Sequence, residues 1–184
     1  MNAKQKLISA RDGDILCRIT LRSVRGTRLV FVNNVSDTLV YLTNISDDIR
    51  YNGFQVVKIS RIASIDAPHE FADFIKEALR IRYLRKPKAP ALDIEEMRLV
   101  LKSLPKKLLA TIFCDTIDPY SCKIGTIKSL DGRYLVLNQV TPHARWNKQN
   151  TGLLISSITR IEFSDSYSDA LALVLRIGET RKRK

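Results

Sequence analysis

The chain has little of what most catalytic and metal sites are built from. It holds three cysteines and two histidines in 184 residues, and Cys17, Cys114 and Cys122 show no C-x-x-C spacing. An odd set without that spacing argues against a disulfide framework or a zinc site and fits a reducing cytoplasm. Cys114 and Cys122 either face each other across a hairpin or serve as small buried apolar side chains. Neither His69 nor His143 belongs to a Cys, Asp and His set at metal-ligand spacing, so no metal is expected. P-loop, G-x-S-x-G and G-x-G-x-x-G signatures are missing. Asp115 and Asp118 flank a strand end, but Asp118-Pro119 is turn chemistry rather than an acid/base pair. The expectation is a protein that is not an enzyme, with no catalytic residue and no cofactor.

Long apolar runs are also missing. Nothing approaches the ~18 to 20 apolar residues that cross a bilayer. The opening "MNAKQKLISARDGD" has no apolar core after its lysines, so a secretory signal is not expected and the cytoplasm is the expected location. Acidic residues are scarce: 19 against 31 Lys and Arg, a net charge of +12. That imbalance attracts polyanions such as nucleic acid or anionic lipid. The rest is ordinary globular composition, 45% hydrophobic and 27% charged, in a length that suits one domain or two very small ones.

What is present is a repeat. "KISRIASI" (58–65) leads into "DAPHEFADFIKEALRI", and "SSITRIEF" (156–163) leads into "SDSYSDALALVLRIG". Working backwards from Arg61-Ile62 and Arg160-Ile161, "GFQVVKI" matches "TGLLISS", and the polar turn "SDDIRYN" matches "TPHARWNKQN". Before these, "VNNVSDTLVYLTNI" matches "IKSLDGRYLVLNQV", with Asp37-Thr38 and Asp131-Gly132 in hairpin turns. "ILCRITLRSVRGTRLVF" and "LLATIFCDTIDPYSCKI" each supply two further strands; Ile15, Cys17, Ile19 and Leu21 form a period-two face. After the strands, Phe71, Phe74, Ile75, Ala78 and Leu79 lie on one helical stripe, with Pro68 in the first turn and Asp66 as cap. In the second copy Tyr167, Ala170, Leu171, Val174 and Leu175 make the stripe, capped by Ser164 or Ser166, with Gly178 as the stop. "DIEEMRLVLKSL" (93–104) predicts a further helix with Asp93 and Glu96 as a capping box; "NAKQKLISA" predicts only a short helical turn.

The predicted fold is mainly β with flanking helices (α+β): two tandem five-stranded small barrels, each followed by a helix. The boundaries are 1–84 for the first barrel and its helix, 85–92 for a basic, proline-containing linker, and 93–184 for a helix, the second barrel, its helix and a basic tail. "GTIKSLDGRYLVL" (125–137) and "ISSITRIEF" (155–163) resemble the first motif and the closing strands of the Sm-like family. The arrangement is similar to one in bacterial proteins whose barrel is followed by a short helix. The resemblance implies the barrel. It does not carry over the family's RNA pocket, because Leu135 stands where uridine-binding members have asparagine, and Arg61 and Arg160 are followed by isoleucine rather than glycine.

Charge and aromatic placement supply the candidate sites. Arg22, Arg25 and Arg28 surround a turn at Gly26, and arginine's planar fork suits phosphate. Arg82, Arg85, Lys86 and Lys88 cluster in the linker, and Arg181, Lys182, Arg183 and Lys184 form the tail. "RYN" and "RWN" recur at one place in both halves, presenting Arg50 and Tyr51, then Arg145 and Trp146 with Lys148 beside them. The aromatic either stacks a base or plugs the barrel mouth. These features predict a module binding RNA or single-stranded nucleic acid mainly through phosphate. The alternative is a protein-interaction or scaffolding module that self-associates through barrel edges or helix faces. Membrane binding is disfavoured, since linker and tail lack an interfacial tryptophan or leucine face.

Overall fold

The computed structural model describes residues 2–182 apart from Ser23 and Arg25, with side chains described as far as Arg176. The first half runs α1 (Ala3–Asp12), β1 (Leu16–Leu21), β2 (Thr27–Val35), β3 (Leu39–Ile45), β4 (Tyr51–Lys58), β5 (Ile62–Asp66) and α2 (Ala72–Ile81). The second repeats that order: α3 (Met97–Ser103), β6 (Ala110–Phe113), β7 (Cys122–Asp131), β8 (Tyr134–Val140), β9 (Thr151–Leu154), β10 (Arg160–Phe163) and α4 (Ser166–Lys182). A single 3-10 turn, Ile59–Arg61 or Ile155–Ser157, separates the fourth and fifth strands of each half.

Two closed barrels do not form. The strands make one open antiparallel sheet in the order β5-β1-β2-β3-β4-β10-β6-β7-β8-β9. Within the first half, β4 and β5 lie on opposite edges, yet three residues connect them. Four flat strand spacings would separate them by ~19 Å, whereas the connection reaches at most ~14 Å; the sheet must therefore curl. Curling leaves one edge of β4 and one of β10 open, and these pair with each other, Val57 with Arg160 through to Phe54 with Phe163. Hydrogen bonding across the halves replaces closure within each. Gly53 makes the approach possible: its φ is +71°, and a Cβ there would meet the Phe163 carbonyl oxygen at 2.5 Å.

The cores follow from this joint. One face of β4 and β10 sends Phe54, Val56, Ile161 and Phe163 into a cluster with Tyr41, Leu135, Leu137 and Ile158, closed by Met97, Val100 and Leu101 of α3. Both halves thus build one core. The opposite face of the first half gathers Cys17, Ile19, Val30, Leu42 and Val57 beneath Leu7 and Ala10 of α1. Cys17, Ile19 and Leu21 are buried as the period-two pattern predicts. The helices after the strands pack outside: Ile75 and Leu79 of α2 on Leu16, Phe31 and Ile45, and Leu171 and Leu175 of α4 on Leu109 and Val140.

Several helix expectations need correction. The opening segment is a ten-residue helix, because Asn2 and Gln5 form a reciprocal capping box, Gln5 N–H donating to Asn2 and Asn2 N–H to the Gln5 side chain. The helix after the linker is shorter than 93–104, starting at Met97 with Glu96 as an uncapped boundary, while Asp93 accepts the Glu95 N–H. Pro68 follows a cis peptide bond outside α2, whose boundary residue is Phe71. Phe71, Phe74, Tyr167 and Val174 are exposed, Phe74 to 63%. Of the predicted stripes only Ile75 and Leu79, and Leu171 and Leu175, are buried, joined by Ala72 in α2 and Ser168 in α4. Gly178 does not stop α4, which runs to Lys182.

The segment 85–92 has no regular secondary structure but is fastened to the body. Lys86 pairs with Asp14 at 2.5 Å and sits 4.5 Å above the Phe31 ring, and Ala89 and Leu92 pack on the shared core.

Candidate nucleic-acid interface

The predicted arginine turn does not present three free guanidiniums. Arg22 is exposed, but Arg28 turns to Glu162 of β10 at 3.5 Å and is a joint between the halves. Burial and the neighbouring Arg160 both pull the Arg28 pKa below the ordinary guanidinium range, burial more strongly, with Glu162 opposing. Arg25, Arg183 and Lys184 lie outside the described residues, as do the side chains of Arg181 and Lys182. Arg50 pairs with Asp48 at 2.8 Å, and Arg82 donates to the carbonyls of Asp48 and Ile49 at 2.7 and 3.1 Å. Arg85, Lys88, Arg145 and Lys148 are exposed. Tyr51 is half-buried against Phe31, ring centroids 6.4 Å apart.

The structure brings Trp146 together with residues that charge counting had passed over. A cleft of about 270 Å³ opens between the outer face of the second half and α4. Its walls are Trp146, Leu109 and Leu175, and Lys106, Lys107 and Arg176 line it; no carboxylate is among the described lining residues. Thr126 and Asn138, cross-strand partners on β7 and β8, supply the polar floor.

Local sequence explains each position. Pro105 ends α3, and the Leu108 N–H donates to the Pro105 carbonyl at 2.9 Å, leaving Lys106 and Lys107 at the tip of a turn. Trp146 follows a five-residue turn in which the Thr141 N–H donates to the Arg145 carbonyl at 2.8 Å and Ala144 takes φ 53°. The first half builds the same turn, Ser46 N–H to Arg50 carbonyl at 2.9 Å, with Ile49 at φ 56°. Trp146 then bridges Val140 as Tyr51 pairs with Ile45. The "RYN" and "RWN" units are therefore structural counterparts. Trp146 is 36% exposed and faces the cleft beside α4, so it plugs no barrel mouth. A signal for the lysines did exist in the sequence, the Pro-Lys-Lys turn, but nothing in it showed that α4 would return beside that turn.

A second cleft, about 330 Å³, lies at the joint of the halves. There Arg28 shares the lining with Glu162, Asp47 and Asp165, an arrangement unfavourable to phosphate. His69 is buried and engaged by Arg18 at 2.9 Å and Asp66 at 3.3 Å. Among the described residues no group of His, Cys, Asp and Glu has the arrangement of a metal site, and no helix is long and apolar enough to cross a membrane. No family model, curated protein or solved structure matches the chain.

Proposed function

We propose that the chain is a non-enzymatic module binding RNA or single-stranded nucleic acid, chiefly through phosphate. The observation that carries this reading is the cleft in which Lys106 and Lys107 stand beside Trp146, with no carboxylate among the described lining residues. Cations attract the backbone, and an indole beside them offers a stacking face that every base accepts. Exposed Arg145 and Lys148, next to Trp146 in sequence, extend the positive surface. The likeness of 125–137 and 155–163 to the Sm-like family belongs to the same proposal, and the helix, five strands and helix of each half support it.

Filter binding of single-stranded RNA and DNA between roughly 50 and 200 mM salt tests it. Affinity is expected to fall steeply with salt. In the variant carrying Lys106→Ala and Lys107→Ala, the logarithmic slope should drop by roughly 1.4, two single-strand phosphates at about 0.7 each. Absence of binding at the lower salt would sink the proposal.

A second reading, self-association, draws on a different observation. The outer edges of β5 and β9 pair with no strand among the described residues, whereas β4 and β10 join two halves by edge pairing. Open edges favour pairing with another chain. Light scattering after gel filtration, across concentration and salt, separates the readings: a constant monomer mass removes self-association.

A further inference from the structure

The two halves offer an internal comparison for the cleft. Each second strand carries one irregularity against the third, between Val32 and Asn34 in β2 and between Ile127 and Ser129 in β7. Aligning these places Phe31 against Thr126, Thr43 against Asn138 and Ile45 against Val140. The pairings agree, since Phe31 faces Thr43 as Thr126 faces Asn138. In the first half the Phe31 ring therefore fills the space beside Tyr51 and under α2. Two ammonium groups attend that ring, Lys86 at 4.5 Å and Lys76 at 5.9 Å from its centroid. In the second half the corresponding residue is threonine, no ring among the described residues takes the place that Phe31 fills, and a cleft lies there. Lys106 and Lys107 still line it.

We propose that this cleft receives one unstacked base of a nucleotide, seated where Phe31 sits in the first half, against Trp146 and above Thr126 and Asn138. A flat aromatic ring suits apolar walls set by Leu109, Leu175 and the indole. Lys106 and Lys107 at the turn tip stand where the attached phosphate needs a counter-charge. Among the described residues neither the Thr126 hydroxyl nor the Asn138 carboxamide is committed to a hydrogen bond. A carboxamide presents a donor beside an acceptor, the pattern that reads a base edge. The inference rests on the nucleic-acid reading and narrows it: paired bases in a duplex cannot enter, so the substrate is a single strand or an extruded nucleotide.

Trp146 is the chain's one tryptophan, so its emission reports the cleft directly. Nucleoside monophosphates and short single strands should quench it, and ribose 5-phosphate should not. Thr126→Phe rebuilds the filled arrangement of the first half; it should abolish quenching and weaken oligonucleotide binding roughly ten-fold, the scale of one lost stacked base. Asn138→Leu, which keeps the cleft open, should also weaken quenching; it decides the question should Thr126→Phe lose its native far-ultraviolet dichroism. Oligonucleotides that bind in the filter assay without quenching, with both variants binding as the parent does, would overturn the cleft assignment and leave the nucleic-acid reading in place. Quenching by monophosphates without oligonucleotide binding would support the cleft and remove the broader reading. Neither signal would remove both.

Discussion

Arg160 shows how far a charged residue's sequence context falls short of its role. It stands in the repeated Arg-Ile pair, yet its side chain is 3% exposed and enclosed by Asp115 at 3.4 Å, by Glu162 and by the Phe113 ring, 3.4 Å from the guanidinium. Asp115 is equally buried and also accepts the Thr159 hydroxyl at 2.7 Å. Removing the arginine strands a buried carboxylate, so Arg160→Ala should cost roughly 3 to 5 kcal/mol in urea denaturation. Arg160→Lys should recover little, because a point charge does not replace the planar fork between two acids. An unaffected urea midpoint would contradict this account. Two acidic protons mark the same scale. Burial pushes the Cys17 thiol from 9 up to about 11, with Asp66 adding to the effect and Lys76 opposing it, and burial also holds the Tyr41 phenol above its usual range. Both groups are neutral when folded. Their contribution is complete below the unfolded-state values and is lost as pH rises through the folded ones. Stability should therefore be level to about pH 9 and decline toward 11, a slope that Cys17→Ala should reduce. The Tyr41 hydroxyl is buried without a partner, so Tyr41→Phe should raise stability by roughly 1 to 2 kcal/mol.

At the level of elements, the repeat was legible because turn chemistry and strand alternation are local. Asp131-Gly132, the paired "RYN" and "RWN" turns and the buried Cys17, Ile19 and Leu21 face all follow from neighbours in sequence. What was illegible depends on distant partners. Helical periodicity places Phe74 and Ile75 on one stripe, but only the curve of the sheet decides that Ile75 is buried and Phe74 exposed. The cleft lay beyond reach for the same reason: Lys106, Trp146 and Arg176 are scattered along the chain and meet only when α4 packs beside the Pro105 turn. The joint of β4 with β10 is the clearest case, since an alternating strand does not declare which edge it will share. Gly53 did carry a trace of it, a glycine inside a strand, the residue that suits a close approach of two backbones. Gly53→Ala meets both the positive φ and the Phe163 carbonyl, and should cost roughly 2 to 4 kcal/mol. Calorimetry on that variant checks the assignment; a melting temperature equal to the parent's would mean that the joint yields without strain.

The whole molecule behaves as one unit if the shared core, rather than the tandem repeat, governs its stability. Tandem domains joined by a linker would unfold independently. Here Phe54 and Val56 from the first half lie in the same cluster as Leu135, Ile161 and Phe163 from the second. Phe54 packs on Phe163 with centroids 5.6 Å apart and on Tyr41 at 5.9 Å. Neither half can open without exposing apolar surface that the other half covers, and strand pairing across the joint adds backbone hydrogen bonds to that coupling. Phe54→Ala should therefore cost about 3 to 5 kcal/mol, and the loss should register in both halves at once. Trp146 sits in the second half, far in sequence from residue 54, so its fluorescence is a stringent reporter. In urea, fluorescence and far-ultraviolet dichroism should give coincident single transitions for the parent chain and for Phe54→Ala, with the variant's midpoint lower by the same amount in both signals. Two separated transitions, or a Trp146 midpoint unmoved by Phe54→Ala, would show that the halves fold as neighbours rather than as one cooperative sheet.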